Sequence, residues 1–433
     1  MERRQPSTRP LYRRALFLEG KPFRAAGANI YWAGLDQNAE NSSVPASVAY
    51  PDPFCVKDAF DTAALMGARI VRCHTCGISV GNPLSFEPAL GEFNHSALRA
   101  VDFAVSQAAA HGIRLIVPLI DNWRYYHGGK HDFTDWLGIG NENEFFTAPK
   151  AVVAFKTYVA ELLNHTNSIT GVRYGSDPTV MVWETGNELM YNGGPPPTAW
   201  TEDIARLIKS LAPDHLVMDG TNGVNTAALP IVDVDVYSQH FYPGPSVLDA
   251  EIAAGMAAAA GKAFLVGEFG WKAATLAPFL AMAQSNANVS ADLYWSLFPH
   301  RVDHGFVQHG DSFTLHFPDG DGNPAAVASL RAHAFGMSGE KAPPFPAPTS
   351  PAVTMVSDSA GIAWRGAAGA GNYTVQAQRP GSAAWTTVCD GCASDNGTPI
   401  PMPGGWSADD AFRVRGLAPD DSVPGPWSPP VSG

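Results

Sequence analysis

Residues 180–188 read VMVWETGNE, an apolar run that ends in polar side chains. Residues 115–119, LIVPL, form a second run of the same kind. Parallel strands that are covered on both faces have such near-continuous apolar sequences, and Ala-rich stretches of helical character lie between the runs. Eight strand segments are predicted in this way: Phe23–Tyr31, Arg69–Cys73, Ile113–Leu119, Val180–Glu184, His215–Met218, Val234–Ser238, Ala263–Val266 and Ala291–Trp295.

Eight strand and helix repeats favour an α/β fold, specifically a closed (β/α)8 TIM barrel. Helices are predicted between the strands, for example over Ser96–Ala110, Ala151–Leu163 and Thr201–Leu211. An open doubly wound sheet would produce the same apolar strands, but its characteristic Gly-rich phosphate-binding turn does not follow the first strand here. The barrel is therefore the preferred architecture.

The chain has 433 residues, more than a barrel of about 250 residues requires. Residues 341–351 read KAPPFPAPTSP, a Pro-rich and semi-rigid linker. The segment after the linker alternates apolar and polar residues between turns, which is typical of a small all-β module. Its Trp364, Tyr373 and Trp427 resemble those of a fibronectin type III sandwich. We expect a barrel over residues 1–340, a linker over 341–351 and a β-sandwich over 352–433.

The charge balance narrows the classes of partner. The chain has 28 Lys and Arg residues against 41 Asp and Glu, a formal net charge of −13, which disfavours nucleic acids and anionic membranes. No apolar run reaches the ~18 residues of a membrane span, and Met1–Pro22 lacks an apolar core of signal-peptide length. The 11 Trp and 12 Tyr residues suit either a large core or a site that stacks on flat sugar rings.

Two glutamates follow predicted strands at the end where barrel enzymes carry catalytic groups. Glu188 follows the fourth strand, and Glu268 ends FLVGE at the seventh. Glycoside cleavage with retention needs a carboxylic acid that protonates the leaving oxygen and a carboxylate, about 5 Å away, that attacks the anomeric carbon. Strands four and seven lie three apart around an eight-strand ring, so residues at their ends can face one another across the mouth. A lone rim glutamate is more often an ion-pair partner, but this pair predicts catalytic carboxylates.

These strand ends resemble glycoside hydrolase family 5, and within it the β-mannanases, over roughly residues 23–335. The resemblance implies a retaining hydrolase with Glu188 as acid/base and Glu268 as nucleophile. It implies cleavage of β-1,4-mannosidic linkages inside a polysaccharide chain, without a cofactor. It also implies a secreted protein, and a monomer is favoured.

The same resemblance assigns five further residues around the scissile bond. Arg72 corresponds to the arginine that supports the nucleophile, and Asn187 to the asparagine that binds the sugar 2-hydroxyl. His240 and Tyr242 match the family's His-x-Tyr after strand six, and Trp295 matches the tryptophan that forms the floor of the cleavage subsite. Each residue alone would be read as core packing or an internal ion pair, but their order along the chain favours a site.

Three other side chains are assigned to substrate binding. Trp32 and Trp123 follow the first and third strands, where sugar platforms occur in such mannanases, and core packing is the alternative for both. Asn122 precedes Trp123 and is expected, like Asp121, to bind hydroxyls.

The sequence leaves several functional alternatives open. The segment Trp183-Glu184-Thr185-Gly186-Asn187 departs from the Trp-Glu-Leu-Ala-Asn form of typical fungal and plant mannanases, and the loop Ser296–Gly320 is long. A β-1,4-glucanase, an exo-acting β-mannosidase or β-glucosidase, and a transglycosylase would all use the same machinery. A non-catalytic carbohydrate-binding protein is the alternative from another class.

The cysteines and loop histidines are expected to hold no metal. Cys73/Cys76 and Cys389/Cys392 have C-x-x-C spacing, with Cys55 left over, but neither pair has the partners of a zinc or redox site. Cys389 and Cys392 are expected to form a local disulfide or two plain thiols. Surface or substrate-contacting roles are favoured for four histidines of one loop, His300, His304, His309 and His316.

Overall fold

The computed structural model describes residues 15–18, 20–38, 48–320, 322–392 and 397–433. Most of the segment Met1–Pro22, for which no signal-peptide core is predicted, lies outside the described residues. Within the described ranges, every helix is too short or too polar to cross a bilayer.

Eight parallel strands form the predicted closed barrel. The strands follow chain order around the ring, and the last strand pairs with the first. The (β/α)8 prediction is therefore confirmed, and each predicted strand segment overlaps one barrel strand. The barrel strands are β3 (Ala25–Asn29), β4 (Ile70–Arg72), β5 (Arg114–Pro118), β6 (Val180–Glu184), β7 (Leu216–Met218), β8 (Val236–Phe241), β9 (Ala263–Gly270) and β10 (Val289–Trp295).

Two strands extend further toward the mouth than their sequences predict. β8 was expected to end at Ser238 and β9 at Val266, where the apolar runs stop. The ladder continues because His240 pairs with Glu268, and Phe241 with Phe269. The polar residues that ended the apolar pattern therefore belong to the sheet and point their side chains at the barrel mouth.

Eight helices cover the described part of the barrel. Several start at residues that suit a helix N-terminus: Pro53, Pro149 and Pro324 each occupy the first helical position, where proline costs no hydrogen bond. The helices are α1 (Pro53–Leu65), α2 (Leu98–Ala110), α3 (Lys130–Trp136), α4 (Pro149–Asn164), α5 (Thr198–Leu211), α6 (Val247–Ala259), α7 (Leu276–Ser285) and α8 (Pro324–Met337).

The amino-terminal half of the barrel interior is apolar. Side chains from the barrel strands, among them Ile70, Ile116 and Leu265, form one buried cluster. A short antiparallel hairpin, β1 (Leu16–Leu18) and β2 (Lys21–Phe23), adds Leu16 and Phe23 to this cluster. The hairpin was not predicted from the sequence, because its strands have only three residues each.

The C-terminal strands form two small antiparallel sheets, called here the C-terminal sheets. One contains β11 (Ala352–Ser357) and β12 (Gly361–Arg365), and the other contains β13 (Asn372–Gln378), β14 (Thr386–Cys392) and β15 (Ala411–Leu417), with β13 in the middle. They enclose a core of their own, in which Trp364 and Tyr373 are fully buried.

Candidate active site

Four barrel strands carry ionisable side chains at their carboxyl ends, and closure of the ring brings these side chains together. This is the end of the barrel where catalytic groups of such folds gather. All four side chains are at least nine-tenths buried. They are Arg72 of β4, Glu184 of β6, His240 of β8 and Glu268 of β9.

Glu188 lies beyond β6 in a constrained turn. Its φ is 50°, a left-handed conformation that is uncommon for a residue with a Cβ and costs about 1–3 kcal/mol. Asn187 N and Leu189 N donate to carbonyls of the neighbouring strand ends at 2.7 and 2.8 Å and hold the turn on both sides. Close packing below it requires glycine, because a Cβ on Gly220 would lie 1.9 Å from Gly186 O. The turn aims Glu188 into the mouth.

Glu188 and Glu268 face each other across a histidine. One oxygen of each carboxylate and a ring nitrogen of His240 all lie within 4.8 Å of one another. His240 Nδ1 is 2.9 Å from Glu188 Oε1 and 3.6 Å from Glu268 Oε1. Burial disfavours a charged imidazole, but the carboxylates of Glu268 and Glu188 raise the pKa of His240. The carboxylate spacing is that of a retaining glycosidase rather than an inverting one.

Glu268 is surrounded by hydrogen-bond donors. Arg72 Nη1 donates to Oε1 at 2.7 Å and the Tyr242 hydroxyl donates to Oε2 at 2.8 Å. Burial alone would raise the pKa of Glu268, but the charges of His240 and Arg72 hold this pKa below its usual range. Glu268 is therefore ionised near neutral pH, as a nucleophile must be.

Arg72 links the two sides of the mouth. Its guanidinium donates to both oxygens of Glu184 at 2.8 and 3.0 Å, and to Asn187 Oδ1 at 2.9 Å. A guanidinium can only donate, so its 2.6 Å contact with His74 Nε2 makes that nitrogen an acceptor. Burial and the charge of Arg72 lower the pKa of His74 to about 4, which keeps the imidazole neutral near pH 7.

Glu188 has a different environment from Glu268. Trp123 Nε1 donates to Glu188 Oε2 at 2.6 Å, and this indole is 36% exposed. Asp121, which is fully buried, accepts hydrogen bonds from the backbone N–H of Trp123 and from Asn187 Nδ2. The acid/base candidate thus lies beside solvent and an aromatic ring, whereas the nucleophile candidate lies among cations and donors.

A cavity of about 970 Å³ opens above these carboxylates and is lined mainly by aromatic rings. The ring of Trp295 stacks on Tyr31 with centroids 4.8 Å apart and planes 11° apart. Trp295 Nε1 donates to Asp311 Oδ2, and His309 contacts the Tyr31 hydroxyl. Flat apolar rings with polar groups at their edges suit the binding of sugar rings.

Eight of the ten residues that the sequence assigns to the site lie around this mouth. Arg72 and His240 contact the carboxylates from below, and the other six line the cavity: Asn187, Glu188, Tyr242, Glu268, Trp295 and Trp123. Trp32 and Asn122 lie outside it. Trp32 is 1% exposed, donates to Leu297 O and packs on Phe298. Asn122 accepts from Lys130 Nζ and Met190 N, and so holds a loop in place.

Several residues of the site were not predicted from the sequence, among them His74, Glu184, Tyr31 and Asp311. His74 lies within the C-x-x-C pattern of Cys73 and Cys76, shortly after the strand that carries Arg72. Glu184 ends a barrel strand, and a carboxylate at the end of an apolar strand is a feature that the sequence does show. Tyr31 and Asp311 belong to loops whose conformation has no sequence signature.

The cysteines form two disulfides, Cys73–Cys76 and Cys389–Cys392, and Cys55 is a buried free thiol. The first disulfide closes the short turn that carries His74 and was not predicted. Of the loop histidines, His309 lines the cavity, whereas His300 and His316 are buried at the base of the loop. Among the described residues, the three-residue group with metal-ligand spacing is Glu188, His240 and Glu268, not the loop histidines.

Comparison with known proteins places this arrangement in a family. Residues 12–240, more than half of the chain, match the model for GH family 5 beta-mannosidase-like proteins. Mannan endo-1,4-beta-mannosidase 8 of Oryza sativa subsp. japonica is 31% identical over 236 residues, which is 52% of this chain and 60% of the relative. The putative mannan endo-1,4-beta-mannosidase P of Arabidopsis thaliana is 31% identical over 215 residues, 48% of this chain and 50% of the relative. The chain thus spans about half to three fifths of these relatives.

Solved structures share the fold. The endo-1,4-beta-mannanase from Rhizomucor miehei superposes with a TM-score of 0.62 at 24% identity, over 75% of this chain and 97% of that one. The endo-beta-1,4-mannanase from Thermotoga petrophila has a TM-score of 0.61 at 19% identity, over 94% of this chain and 98% of that one. With the match of its sequence to the family model, the chain belongs to the beta-mannosidase-like proteins of glycoside hydrolase family 5.

Proposed function

We propose that this protein is a retaining glycoside hydrolase that cleaves β-1,4-mannosidic linkages inside mannan-type polysaccharides. The observation that carries the proposal is the pair Glu188 and Glu268, with carboxylate oxygens within 4.8 Å and contrasting surroundings. A retaining mechanism needs this spacing, one ionised carboxylate and one carboxyl group that exchanges protons with solvent.

The reaction proceeds in two displacements. Glu268 attacks the anomeric carbon and forms a glycosyl ester, while Glu188 gives its proton to the glycosidic oxygen as the C–O bond breaks. Glu188, now a carboxylate, takes a proton from water, and the resulting attack on the anomeric carbon releases the sugar and regenerates Glu268. Configuration is retained because two inversions occur.

Neighbouring side chains have distinct roles in this scheme. Arg72 and Tyr242 keep Glu268 ionised and oriented through the hydrogen bonds described above. His240 contacts both carboxylates, so its pKa responds to the proton that Glu188 gains or loses. Asn187 presents its amide to the sugar 2-hydroxyl. Trp295 forms the floor of the cleavage subsite, and Trp123 stacks on the leaving part of the chain beside Glu188.

Mannan is proposed as the substrate because of the relatives. Both plant sequences compared above are named mannan endo-1,4-beta-mannosidases. An open cavity lined by aromatic rings is compatible with a polymer that extends beyond one sugar unit.

The remaining features of the protein are proposed with the function. We infer a barrel domain over residues 1–340, a linker over 341–351 and a fibronectin type III-like sandwich over 352–433, supported by the separate core of the C-terminal sheets. Secretion is supported by the two disulfides, which persist in oxidising compartments. We propose that the protein acts as a monomer on a β-linked polysaccharide.

The test is reducing-sugar release from galactomannan, glucomannan, carboxymethylcellulose and mixed-linkage β-glucan, with analysis of product lengths. Mixed oligosaccharides from the mannans are expected from the wild type. Glu268→Ala is expected to abolish release, while Glu251→Ala, an exposed glutamate on α6, leaves it unchanged. Release from glucans alone would contradict the substrate, and activity that survives in Glu268→Ala would contradict the mechanism.

Azide separates the roles of the two glutamates. In Glu188→Ala, azide attacks the glycosyl ester and gives a β-glycosyl azide, because that variant still forms the intermediate from a substrate with a good leaving group. In Glu268→Ala, azide occupies the empty place of the nucleophile and gives an α-glycosyl azide. The reverse pair of products would exchange the assigned roles.

A further inference from the structure

The loop that follows β10, residues 296–320, forms one wall of the cavity. At its tip Asp311 accepts the indole hydrogen of Trp295, and Phe313 contacts the ring of Tyr242 at 5.1 Å between centroids. Ser296 N donates to Phe313 O, so the tip is also tied to the end of β10 by the backbone. The position of this loop therefore sets the position of the cleft floor.

The base of the loop is a column of three rings, called here the ring stack: His300, Phe306 and His316. The centroids of His300 and Phe306 are 4.4 Å apart and those of Phe306 and His316 are 4.6 Å apart, with planes within 25° in both pairs. His300 Nδ1 and its backbone N–H both lie 2.9 Å from Asp58 Oδ2 in α1. The ring stack is therefore held from the barrel side by a buried carboxylate.

The C-terminal region also contacts this loop, at His300 of the ring stack and at Asp303. Gly366, directly after β12, has no side chain where His300 packs, and a Cβ there would lie 2.1 Å from His300 Cδ2. Thr354 of β11 donates its hydroxyl to Asp303 O in the same loop at 2.8 Å. Arg365 lies over the ring of Phe54 in α1, 4.1 Å from its centroid. Loop, barrel helix and sheets thus meet at one junction.

We propose that the C-terminal sheets are a brace for the catalytic cleft, and that Gly366 and Thr354 position the loop 296–320, and through it Trp295, for the reaction. This inference rests on the proposed function. It assigns the C-terminal sheets a role in holding the active site in shape, whereas modules of this kind more often serve as spacers or docking arms. His300 and Gly366 are positioning residues in this scheme, because neither lies at the reacting atoms.

The central test compares two glycine-to-alanine variants in the full-length protein. Gly366→Ala places a methyl group against His300, which cannot turn away without losing Asp58 and Phe306. Gly404→Ala is the matched control, because a Cβ there meets nothing within 4 Å. Neither glycine has a positive φ, so alanine strains neither backbone.

Gly366→Ala is expected to lower kcat on mannan about tenfold with a smaller change in KM, because misplacement of Trp295 weakens contacts that form mainly in the transition state. Amide hydrogen exchange of residues 296–320 is expected to accelerate in this variant and to stay unchanged in Gly404→Ala. Equal kinetics and equal exchange in the two variants would overturn the brace. If the wild type cleaves none of the polysaccharides, the proposed function fails, and the exchange comparison still decides the brace.

A second pair of variants covers the case in which Gly366→Ala does not fold. Thr354→Val removes the hydrogen bond to Asp303 O, and Thr374→Val removes one to Asp390 that lies within the C-terminal sheets. Only the first variant is expected to accelerate exchange in the loop. Equal acceleration in both, or none in either, would contradict the proposal.

Discussion

The two ends of the barrel share eight strands and have opposite chemistry. At the amino-terminal end the interior is an apolar cluster that includes Ile70, Ile116 and Leu265. At the carboxyl-terminal end the same strands present a buried network of Arg72, Glu184 and Glu268. In β4 the change occurs within two residues, from Ile70 to Arg72.

Stability and reactivity are therefore separated along each strand: the amino-terminal end stabilises the barrel, and the carboxyl-terminal end carries the reactive groups. The apolar end contributes burial, which stabilises the fold in proportion to the area removed from water. At the charged end, ionised side chains are removed from water, which rarely gives the most stable core. The same burial holds these charges in fixed positions, as catalysis requires. Four predictions test how complete the separation is, from the largest expected effect to the smallest.

Replacing Arg72 by methionine is expected to reduce both activity and stability, because Arg72 contacts Glu268 and also pairs with the buried Glu184. The variant should lose at least about 1,000-fold in kcat/KM, since Glu268 loses the charge and the hydrogen bond of Arg72. It should also lose about 3–5 kcal/mol of unfolding free energy, because Glu184 is left buried without a partner. Steady-state kinetics and urea denaturation measure the two effects. Arg69→Met, at the other end of the same segment, is the control, and an equal loss of activity there would refute the argument.

Replacing Leu265 by alanine is expected to affect stability alone. Leu265 is fully buried in the apolar cluster, so the substitution should lower the unfolding free energy by about 2–5 kcal/mol. The kcat of the folded fraction should stay within about twofold of the wild type, because no cleft residue moves. Leu248→Ala, at a leucine that is 65% exposed on α6, should change neither quantity. A large fall in kcat for Leu265→Ala would mean that the two ends are coupled.

Glu87 tests the cost of a buried charge by itself, because it is a buried carboxylate without a cation. Its Oε1 accepts from Gly91 N, while its Oε2 has no hydrogen-bond partner, and burial raises the pKa of Glu87 to about 7. The folded state thus binds this proton more tightly than the unfolded chain. The contribution of Glu87 to stability is present below about pH 4.5 and is lost as the pH rises through 7, by up to about 3 kcal/mol.

The measurement is the unfolding free energy of wild type and Glu87→Gln at pH 5 and pH 8. The wild type should weaken relative to the variant as the pH rises, while Glu92→Gln, an exposed position in the same loop, should follow the wild type. A constant difference between wild type and Glu87→Gln across this range would show that Glu87 does not titrate there.

The two disulfides give the smallest expected effect and a matched comparison. Both join cysteines three residues apart, so the restriction they place on the unfolded chain is the same. Only Cys73–Cys76 closes the turn that carries His74. Cys73→Ala/Cys76→Ala should therefore lower kcat roughly three- to tenfold, because His74 and Arg72 lose their fixed geometry. Cys389→Ala/Cys392→Ala should leave kcat unchanged, and equal kinetics in the two double variants would refute this role.

Much of the barrel was predictable because its strands are buried on both faces. Runs such as LIVPL indicate a parallel strand that is covered on both faces, and all eight predicted segments overlap barrel strands. The strand ends were less predictable. His240 and Glu268 lie in the ladder although they are polar, because the mouth of the barrel replaces an apolar interior with paired charges. The hairpin β1–β2 is too short to leave a periodic pattern.

The site could be predicted where residues follow strands and not where they come from loops. Glu188, Glu268, Arg72, Asn187, His240 and Tyr242 occur at or near strand ends, so sequence order determines their neighbours. Trp32 was assigned as a platform, but the adjacent Tyr31 stacks on Trp295 instead, since the direction of a side chain in a loop depends on tertiary packing. Asp311 reaches the site only through the path of a long loop.

The buried thiol of Cys55 gives this protein an internal reporter. Its Sγ donates to His300 O at 3.5 Å, at the junction of loop, helix and C-terminal sheets, and burial raises the pKa of the thiol. The other four cysteines are in disulfides. An aromatic disulfide reagent can therefore modify the native chain at one sulfur, and only while the junction is open. The rate of colour release would measure how often the junction opens, without any label being introduced.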